Sequence, residues 1–505
     1  MEKAKVKTRV ASIPSRVGTV NLFTGPQTVP VVHREKRGKV SQSWLSACAA
    51  ERALTKDLLG VAMQPVNLLR AYRRVMSNAG SAGVDGMTVR DLKLWMRTNL
   101  MALSEKVCSG RYKPQGIRMV EIPKPNGGKR QLGIPTVIDR LIQQSIHQVM
   151  SPGYERVFSD HSYGFRPKRG AHDALAQASK FVSEGKCYVV DLDLEKFFDE
   201  VNHDRLMKLL STRIGDKRLL LLIRKYLQAG IMQDGIAGQR IKGTPQGSPL
   251  SPLLSNIVLD ELDKELERRG LSYVRYADDI KIFCGSKNAA HRVKQRITQY
   301  ITKVLKLKVN EQKSEVRQSY QLNFLGHSIF KGGGLGLSKQ SEDRLLKRAR
   351  AMTKRNKGIS FEQMLKQLYS YLGGWLQYFR YASMQKKIDR IDGWLRRRLR
   401  CVRLKQCKRA IGIVRWLRKL GMETKRCWLI ALSGKGWWRL SNTPAVNEAM
   451  NIRWFQSIGY YCLSDHYARL KKLMKPLYAS KHVQWCEREA KLSLDIFAPY
   501  FNSTL

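Results

Sequence analysis

The sequence predicts an α+β protein whose second half is helical. Short runs rich in β-branched and aromatic residues, at 112–135, 187–194 and 272–283, alternate with amphipathic helical stretches. Beyond about residue 340 the strand signal disappears and helical periodicity continues. Composition supplies a third observation. The 505 residues hold 92 Lys+Arg against 41 Asp+Glu, a formal net charge of +51, with 43% hydrophobic residues. That hydrophobic content excludes a wholly disordered chain. The charge calls for a large polyanion as partner, nucleic acid ahead of an anionic membrane surface. No run approaches about 18 uncharged apolar residues, so no membrane-spanning helix is expected.

The elements follow in order. Residues 1–40 carry nine Lys/Arg against two Asp/Glu, and 1–54 read as a basic arm. The arm has no apolar h-region, so no secretory signal is expected; its scarcity of acids alone does not establish an organellar transit peptide. Helical patterning begins near Leu54, breaks at the loop NAGSAGVDG, and resumes after Thr88, a candidate cap for VRDLKLWMRTNL. IRMVEIP and RQLGIP flank an Asn-Gly-Gly turn and predict a β-hairpin. Helices are predicted around DRLIQQSIHQVM, AHDALAQASKFV, HDRLMKLLSTRI and KRLLLLIRKYL. The loop GTPQGSPLSP leads into another, whose Leu250, Leu254, Ile257, Val258 and Leu262 recur on one face. Residues 381–430 hold sixteen Lys/Arg against three Asp/Glu, interleaved with Trp394, Trp416 and Trp428. A solvated charged face is the common meaning of such a run; the tryptophans favour phosphate pairing and base stacking instead. The nine cysteines are scattered without a C-x-x-C pair, which argues against a disulfide framework or a Cys-rich zinc module.

Chemistry is suggested by acids at strand ends. Asp278 and Asp279 sit between SYVRY and IKIF, at the tip of a predicted hairpin. Adjacent carboxylates repel by about 4 kcal/mol at an effective dielectric of 20. Such a pair persists where a cation or basic partner neutralises it, although surface turns carry Asp-Asp often. A third acid ends the apolar run CYVVDLD, and periodicity alone does not choose between Asp191 and Asp193, which share a face. Three converging carboxylates would suit two hard divalent cations able to activate a 3′-hydroxyl and stabilise a leaving pyrophosphate.

An ordered set of segments then resembles the reverse transcriptases of the group II intron maturase family. They are IPKPNGGKRQLGIPTVIDR (122–140), SYGFRPKRGAHDAL (162–175), DLDLEKFFDEVNHDRL (191–206), GTPQGSPLSPLLSNIVLDELD (243–263), YADD (276–279), LKLKVNEQKSEV (305–316) and FLGH (324–327). The likeness continues through YLGGWLQYFRYA (371–382) and IDGWLRRRLR (391–400) to GKGWWRLSNTPAVNEAMNIRWF (434–455). The resemblance implies a right-hand polymerase fold with an antiparallel palm sheet. After the arm it implies an N-terminal helical extension at 55–110, fingers at 111–185 and a palm at 186–338. A helical thumb/maturase domain at 339–424 and a DNA-binding-like region at 425–505 would follow.

Residue by residue, the resemblance selects Asp193 over Asp191 and joins it with Asp278 and Asp279 as the catalytic, metal-holding acids. The carbonyl of Leu194 would add an oxygen ligand, and the cofactor would be two Mg2+ ions, with Mn2+ as a substitute. Phe198 would exclude a ribose 2′-hydroxyl, with core packing as the lesser alternative for it and for its neighbour Phe197. Gln246 would pack on the incoming nucleotide's sugar, and Lys124 and Arg130 would clamp its triphosphate. Lys313 matches a palm lysine whose role could be structural. Phe324, Leu325 and Gly326 would form the primer-grip turn, where glycine permits close backbone approach.

The implied function is RNA-directed DNA synthesis on intron RNA, with RNA binding that assists splicing and mobility. The implied partners are group II intron RNA, a DNA target and primer, and deoxynucleoside triphosphates, with no membrane. A bacterial cytoplasmic, nucleoid-associated setting is expected ahead of an organellar one. The chain departs from many members in stopping soon after the DNA-binding-like segment. Cys427, Cys462, Cys486, His466 and His482 lack ligand-spaced partners, so no zinc-supported endonuclease is expected. A non-enzymatic splicing factor and a domesticated defence or repair reverse transcriptase are the alternative readings.

Overall fold

The computed structural model of the chain describes residues 57–123, 129–233, 236–238 and 242–479. The basic arm, Lys124, Cys486 and His482 lie outside the described residues.

The hairpin predicted from IRMVEIP and RQLGIP is present. β1 (Ile117–Pro123) pairs antiparallel with β2 (Lys129–Ile134), from Arg118 opposite Ile134 to Pro123 opposite Lys129. The short β4 (Ile231–Gln233) and β5 (Ile236–Gly238) extend this sheet in the order β2-β1-β4-β5. The hairpin's outer end is exposed, whereas Gly133 at its base donates its N–H to the carbonyl of Gln246 at 2.7 Å.

The second sheet carries the acids. β3 (Tyr188–Asp193), β6 (Ser272–Tyr276), β7 (Asp279–Cys284) and β8 (Glu315–Gln318) lie in the order β6-β7-β3-β8, every pair antiparallel. Val190, Leu192, Ile280 and Ile282 are fully buried between this sheet and the helix Ser251–Arg268 and its neighbours. The opposite set, Val189, Val274 and Phe283, packs on the helix Ala171–Ser183. The sheet is covered on both faces, so its strands read as near-continuous apolar runs.

The predicted helices are observed, with one correction. Thr88 does not cap its helix, which runs Leu92–Cys108 and begins after Asp91. Thr88 donates its hydroxyl to the Asp91 carboxylate at 2.6 Å, holding the preceding turn instead.

After β9 (His327–Ile329) and β10 (Leu335–Leu337) the described chain is helical. Helices Lys339–Met352, Phe361–Phe379, Gln385–Gln406 and Leu463–Ala479 share a core built from Leu345, Leu368, Leu372, Leu395, Leu399 and Leu463. Buried Asp392 fastens the last of these to Gln385–Gln406. Its carboxylate accepts from Tyr460 Oη at 2.9 Å and from the backbone N–H of Leu463 and Ser464 at 3.1 and 2.7 Å. A further cluster joins Leu404, Ile413, Leu417, Cys427, Leu440 and Met450, so one apolar core runs across residue 425.

Candidate active site

The ladder register brings the acids together. Asp193, last in β3, lies opposite Asp279, first in β7, and Asp278 occupies the turn before it. Asp278 is close enough to Asp193 to feel its charge: burial raises the Asp278 carboxyl above the ordinary aspartate value, and Asp193 raises it further. Arg130 on the exposed hairpin and buried Arg275 pull it back down. Arg130 of one sheet therefore acts electrostatically on the acid turn of the other.

Asp279 is engaged differently. Its carboxylate pairs with Lys281 Nζ at 2.5 Å, and Lys281 also pairs with Asp191. Lys281 is buried, which pulls its ammonium down; Asp279 and Asp191 outweigh this and together hold it above the ordinary lysine value. The two acids that periodicity left as alternatives thus separate in space: Asp191 neutralises a lysine, and Asp193 stands beside Asp278. Lys313 Nζ lies 3.5 Å from Asp193 Oδ2, an exposed pair weak enough to exchange partners. As the side chains lie, no three His, Cys, Asp or Glu groups among the described residues are grouped to hold one ion. Two adjacent carboxylates, one of them raised by its neighbour, are nonetheless a donor set that a hard cation would relieve.

Leu194 forms an isolated bridge with Val309. The bonds flanking it run from Asn310 N–H to the Asp193 carbonyl and from Glu195 N–H to the Lys308 carbonyl, both at 2.9 Å. The bridge therefore leaves the Leu194 carbonyl out of that ladder. Asp193 N–H is held by Ser314 Oγ at 3.1 Å.

The two phenylalanines divide as the alternatives allowed. Phe197 is buried in the core, while Phe198 is only partly buried and packs at its edge. The Phe198 carbonyl accepts from Thr244 N–H at 2.6 Å, which ties it to the loop of Gln246. Gly247 in that loop has φ +111°, and a Cβ there would lie 2.8 Å from the Gly133 carbonyl, so glycine permits the loop to press on β2. Phe324 is fully buried, and Leu325 (φ +49°) and Gly326 (φ +80°) make a left-handed turn closed by paired backbone bonds between Phe324 and His327. A Cβ on Gly326 would meet Ser341 Oγ at 2.8 Å, so this turn sits directly against the helical half.

Several positioning residues escape sequence reasoning. Arg275 is wholly buried and grips Asp263, with Nε–Oδ1 at 2.8 Å, and donates to Asn256 Oδ1 and the Ala277 carbonyl at 2.9 Å each. Ala277 has φ +58°, a left-handed residue without glycine's freedom, and this brace holds it. Gly164, from SYGFRPKRG, lies against the same turn: a Cβ there would fall 2.2 Å from Ala277 N. Lys281 was legible in principle, since it alternates with Asp279 on one strand face. Tyr378 was not: it donates from the helix Phe361–Phe379 to the Leu325 carbonyl at 3.0 Å.

The chain is similar to known proteins in two segments. Residues 122–329 match the family described as reverse transcriptase (RNA-dependent DNA polymerase), and 343–421 match the group II intron maturase-specific domain. Protein YkfC of Escherichia coli (strain K12) is 33% identical over 54% of this chain and 83% of its own length. Group II intron-encoded protein LtrA of Lactococcus lactis subsp. cremoris is 30% identical over 51% of this chain and 54% of its own length, so the match spans about half of that relative. A solved chain titled "Partial Cas6-RT-Cas1--Cas2 complex" is 27% identical, covering 49% of this chain and 43% of that one, with a TM-score of 0.32. The reverse transcriptase match contains the acid sheet and the maturase match follows it. The chain therefore belongs to the group II intron reverse transcriptase/maturase family of RNA-directed DNA polymerases.

Proposed function

We propose that this chain copies intron RNA into DNA at the turn Tyr276–Asp279, with Asp193, Asp278 and Asp279 as the catalytic acids. The observation that carries the reading is the register of Asp193 opposite Asp279, with Asp278 electrostatically coupled to Asp193. In the reaction a primer 3′-hydroxyl attacks the α-phosphorus of a deoxynucleotide, a P–O bond forms, and pyrophosphate leaves. Asp193 and Asp278, with the Leu194 carbonyl and Asp279 beside them, would hold two Mg2+ ions, or Mn2+ in their place. Such ions supply Lewis acidity at the attacking and leaving oxygens.

The chain's own groups do the rest. Burial raises the Asp279 carboxyl and Lys281 opposes that rise, while their ion pair fixes its orientation before substrate arrives. Arg130, exposed on β2 and acting on Asp278, would offset triphosphate charge as it builds on the leaving group. Lys124, next to the hairpin's β1 end, would share that work. Phe198, partly buried at the edge of the core, would collide with a ribose 2′-hydroxyl, and Gln246 in the loop tied to it would pack on the sugar. Lys313 neutralises Asp193 until the site fills. Phe324, Leu325 and Gly326 would hold the primer end, steadied by Tyr378 from the helical half. That half, residues 339–424 as thumb/maturase and 425–505 as the DNA-binding-like region, would bind intron RNA and target DNA. Binding would assist splicing and retrohoming in a bacterial cytoplasm. No described helix is long and apolar enough to cross a membrane.

The test is primer extension on an RNA template with Mg2+ and deoxynucleotides. Asp193→Ala and Asp278→Ala should each remove at least about 10³-fold of the rate. Retained extension in either variant would refute the assignment. Absence of extension by the unaltered chain, with RNA binding intact, would favour a splicing factor without polymerase activity.

A further inference from the structure

The segment SYGFRPKRGAHDAL reaches beyond the acid turn. Its Gly164 abuts Ala277, and the helix Ala171–Ser183 that it opens carries His172 in its first turn. His172 Nε2 lies 2.8 Å from the carbonyl of Tyr378, near the end of the helix Phe361–Phe379 in the other half of the chain. A carbonyl only accepts, so Nε2 carries the proton and donates. Burial lowers His172 below the ordinary histidine value, which favours the neutral ring. That ring contacts those of Tyr378 and Tyr381, with centroids at 5.4 and 4.9 Å.

The bond answers a need of the helix. An α-helix leaves its last four carbonyls without partners of its own. Here the Phe379 carbonyl takes the Ala382 N–H at 3.0 Å, and the Tyr378 carbonyl takes His172. The helix end is thus fixed by a side chain 206 residues earlier in the chain.

The Tyr378 side chain makes the next link. Its hydroxyl donates to the Leu325 carbonyl at 3.0 Å, and His327 Nδ1 lies 3.0 Å from the same oxygen. Burial, with Tyr276 of the acid turn nearby, pushes the Tyr378 phenol up to about 12, so it keeps its proton at neutral pH. Leu325 has φ +49°, a left-handed conformation that a leucine holds only when its surroundings enforce it. Phe324, one residue before, has its ring centroid 6.0 Å from Lys281 Nζ, the ammonium that pairs with Asp279. The turn therefore lies between the acid sheet and the helix end, and a hydrogen bond from the helix fixes its strained residue.

Resting on the reading of Phe324, Leu325 and Gly326 as the primer-grip turn, we propose that His172 and Tyr378 form a latch that places the primer 3′ end for attack. His172 fixes the end of the helix, and Tyr378 on that helix fixes the Leu325 carbonyl of the turn. Both are positioning residues, acting through the backbone of the turn. Placement matters because a misplacement of about 1 Å in a reacting group costs about 10²-fold in rate. Gly164 and His172 belong to one segment, so the support beneath Asp278 and the support behind the primer end are joined.

Single-turnover primer extension by the full chain on an RNA template, across a range of deoxynucleotide concentrations with Mg2+, tests the latch. It yields an amplitude, a rate at saturation and a half-saturating deoxynucleotide concentration. Tyr378→Phe removes one oxygen and should lower the saturated rate about threefold to tenfold, as for one lost hydrogen bond. His172→Phe leaves the Tyr378 carbonyl unpaired and should lower it by about tenfold or more. His172→Gln, whose amide N–H can reach the same carbonyl, should recover most of that loss. Amplitude and half-saturating concentration should stay within about twofold of the parent throughout. A loss confined to the amplitude marks a merely destabilised fold and refutes the latch. A half-saturating concentration that rises in step refutes action on the primer end. Saturated rates of both phenylalanine variants within about twofold of the parent refute the latch, as does a His172→Gln protein as slow as His172→Phe. Gly326→Ala strikes the turn itself, since its Cβ would meet Ser341 Oγ at 2.8 Å and the Phe379 ring at 3.1 Å. Leu325→Gly, which loosens the left-handed residue, replaces it if it does not fold. A parent-like rate in this turn variant overturns the primer-grip reading; a slow turn variant beside unaffected phenylalanine variants overturns the latch alone.

Discussion

Substituting Gly164 by alanine should cripple catalysis without touching an acid. The added Cβ would sit 2.2 Å from Ala277 N and 2.9 Å from Ala277 Cα, where ordinary contact begins near 3.4 Å. The obstacle is backbone on both sides, so about 1.2 Å must be found by moving one of the two segments. On one side Arg275 fixes the Ala277 carbonyl; on the other Asn256 Nδ2 holds the Gly164 carbonyl at 2.9 Å. A brace on each side directs the strain into the turn between them, which carries Asp278. A displacement of about 1 Å in a catalytic group costs about 10²-fold in rate. Overpacking should also remove about 1–3 kcal/mol of stability. Single-turnover primer extension reads the first and urea unfolding the second. Gly153→Ala, which meets nothing within 4 Å, is the control and should match the parent in both. A Gly164→Ala protein that extends within threefold of the parent rate would refute the claim that this contact positions Asp278.

Other perturbations test the surrounding supports. Arg275→Met strands the Asp263 carboxylate in the core and should cost about 3–5 kcal/mol by urea unfolding, with Arg275→Met/Asp263→Leu recovering most of it. Lys281→Met should lower the extension rate by at least tenfold, because Asp279 and Asp191 lose their shared counter-ion; an unchanged rate would separate Asp279 from catalysis. Asp392→Ala removes the acceptor for Tyr460 and for two backbone N–H groups and should cost about 2–4 kcal/mol, with faster hydrogen exchange across 463–472 than elsewhere. His327 carries a pH dependence. Burial lowers it to about 4 from the model-peptide value of 6.5, so between those values the unfolded chain binds the proton and the folded one does not. Its contribution is intact above pH 6.5 and shrinks as pH falls toward 4, by roughly 3 kcal/mol in all. Unfolding measured from pH 7 to 4 should show this loss, and His327→Phe should flatten it.

Much of the polymerase half was legible because its signals are local. Alternating and continuous apolar runs set β1, β2, β3, β6 and β7, and the acids fell at strand ends, where a buried chain has little other use for them. The same locality explains what was missed. Periodicity placed Asp191 and Asp193 on one face and could not tell them apart; strand pairing gave them different neighbours, setting Lys281 opposite Asp191 and Asp279 opposite Asp193. Gly164, Asn256, Asp263 and Arg275 are spread over more than a hundred residues and meet only at the turn they brace. In the helical half the sequence showed a basic run with tryptophans but not which arginine is buried. Arg396 to Arg400 look alike in order, and the packing of Met450 and Phe455 over one side of their helix is what strips water from Arg400. Charge, periodicity and strand-end acids belong to the chain itself. Which charges face each other, and which face nothing, is decided only when distant segments close around them, because desolvation and Coulomb energy depend on distance in space and not along the chain.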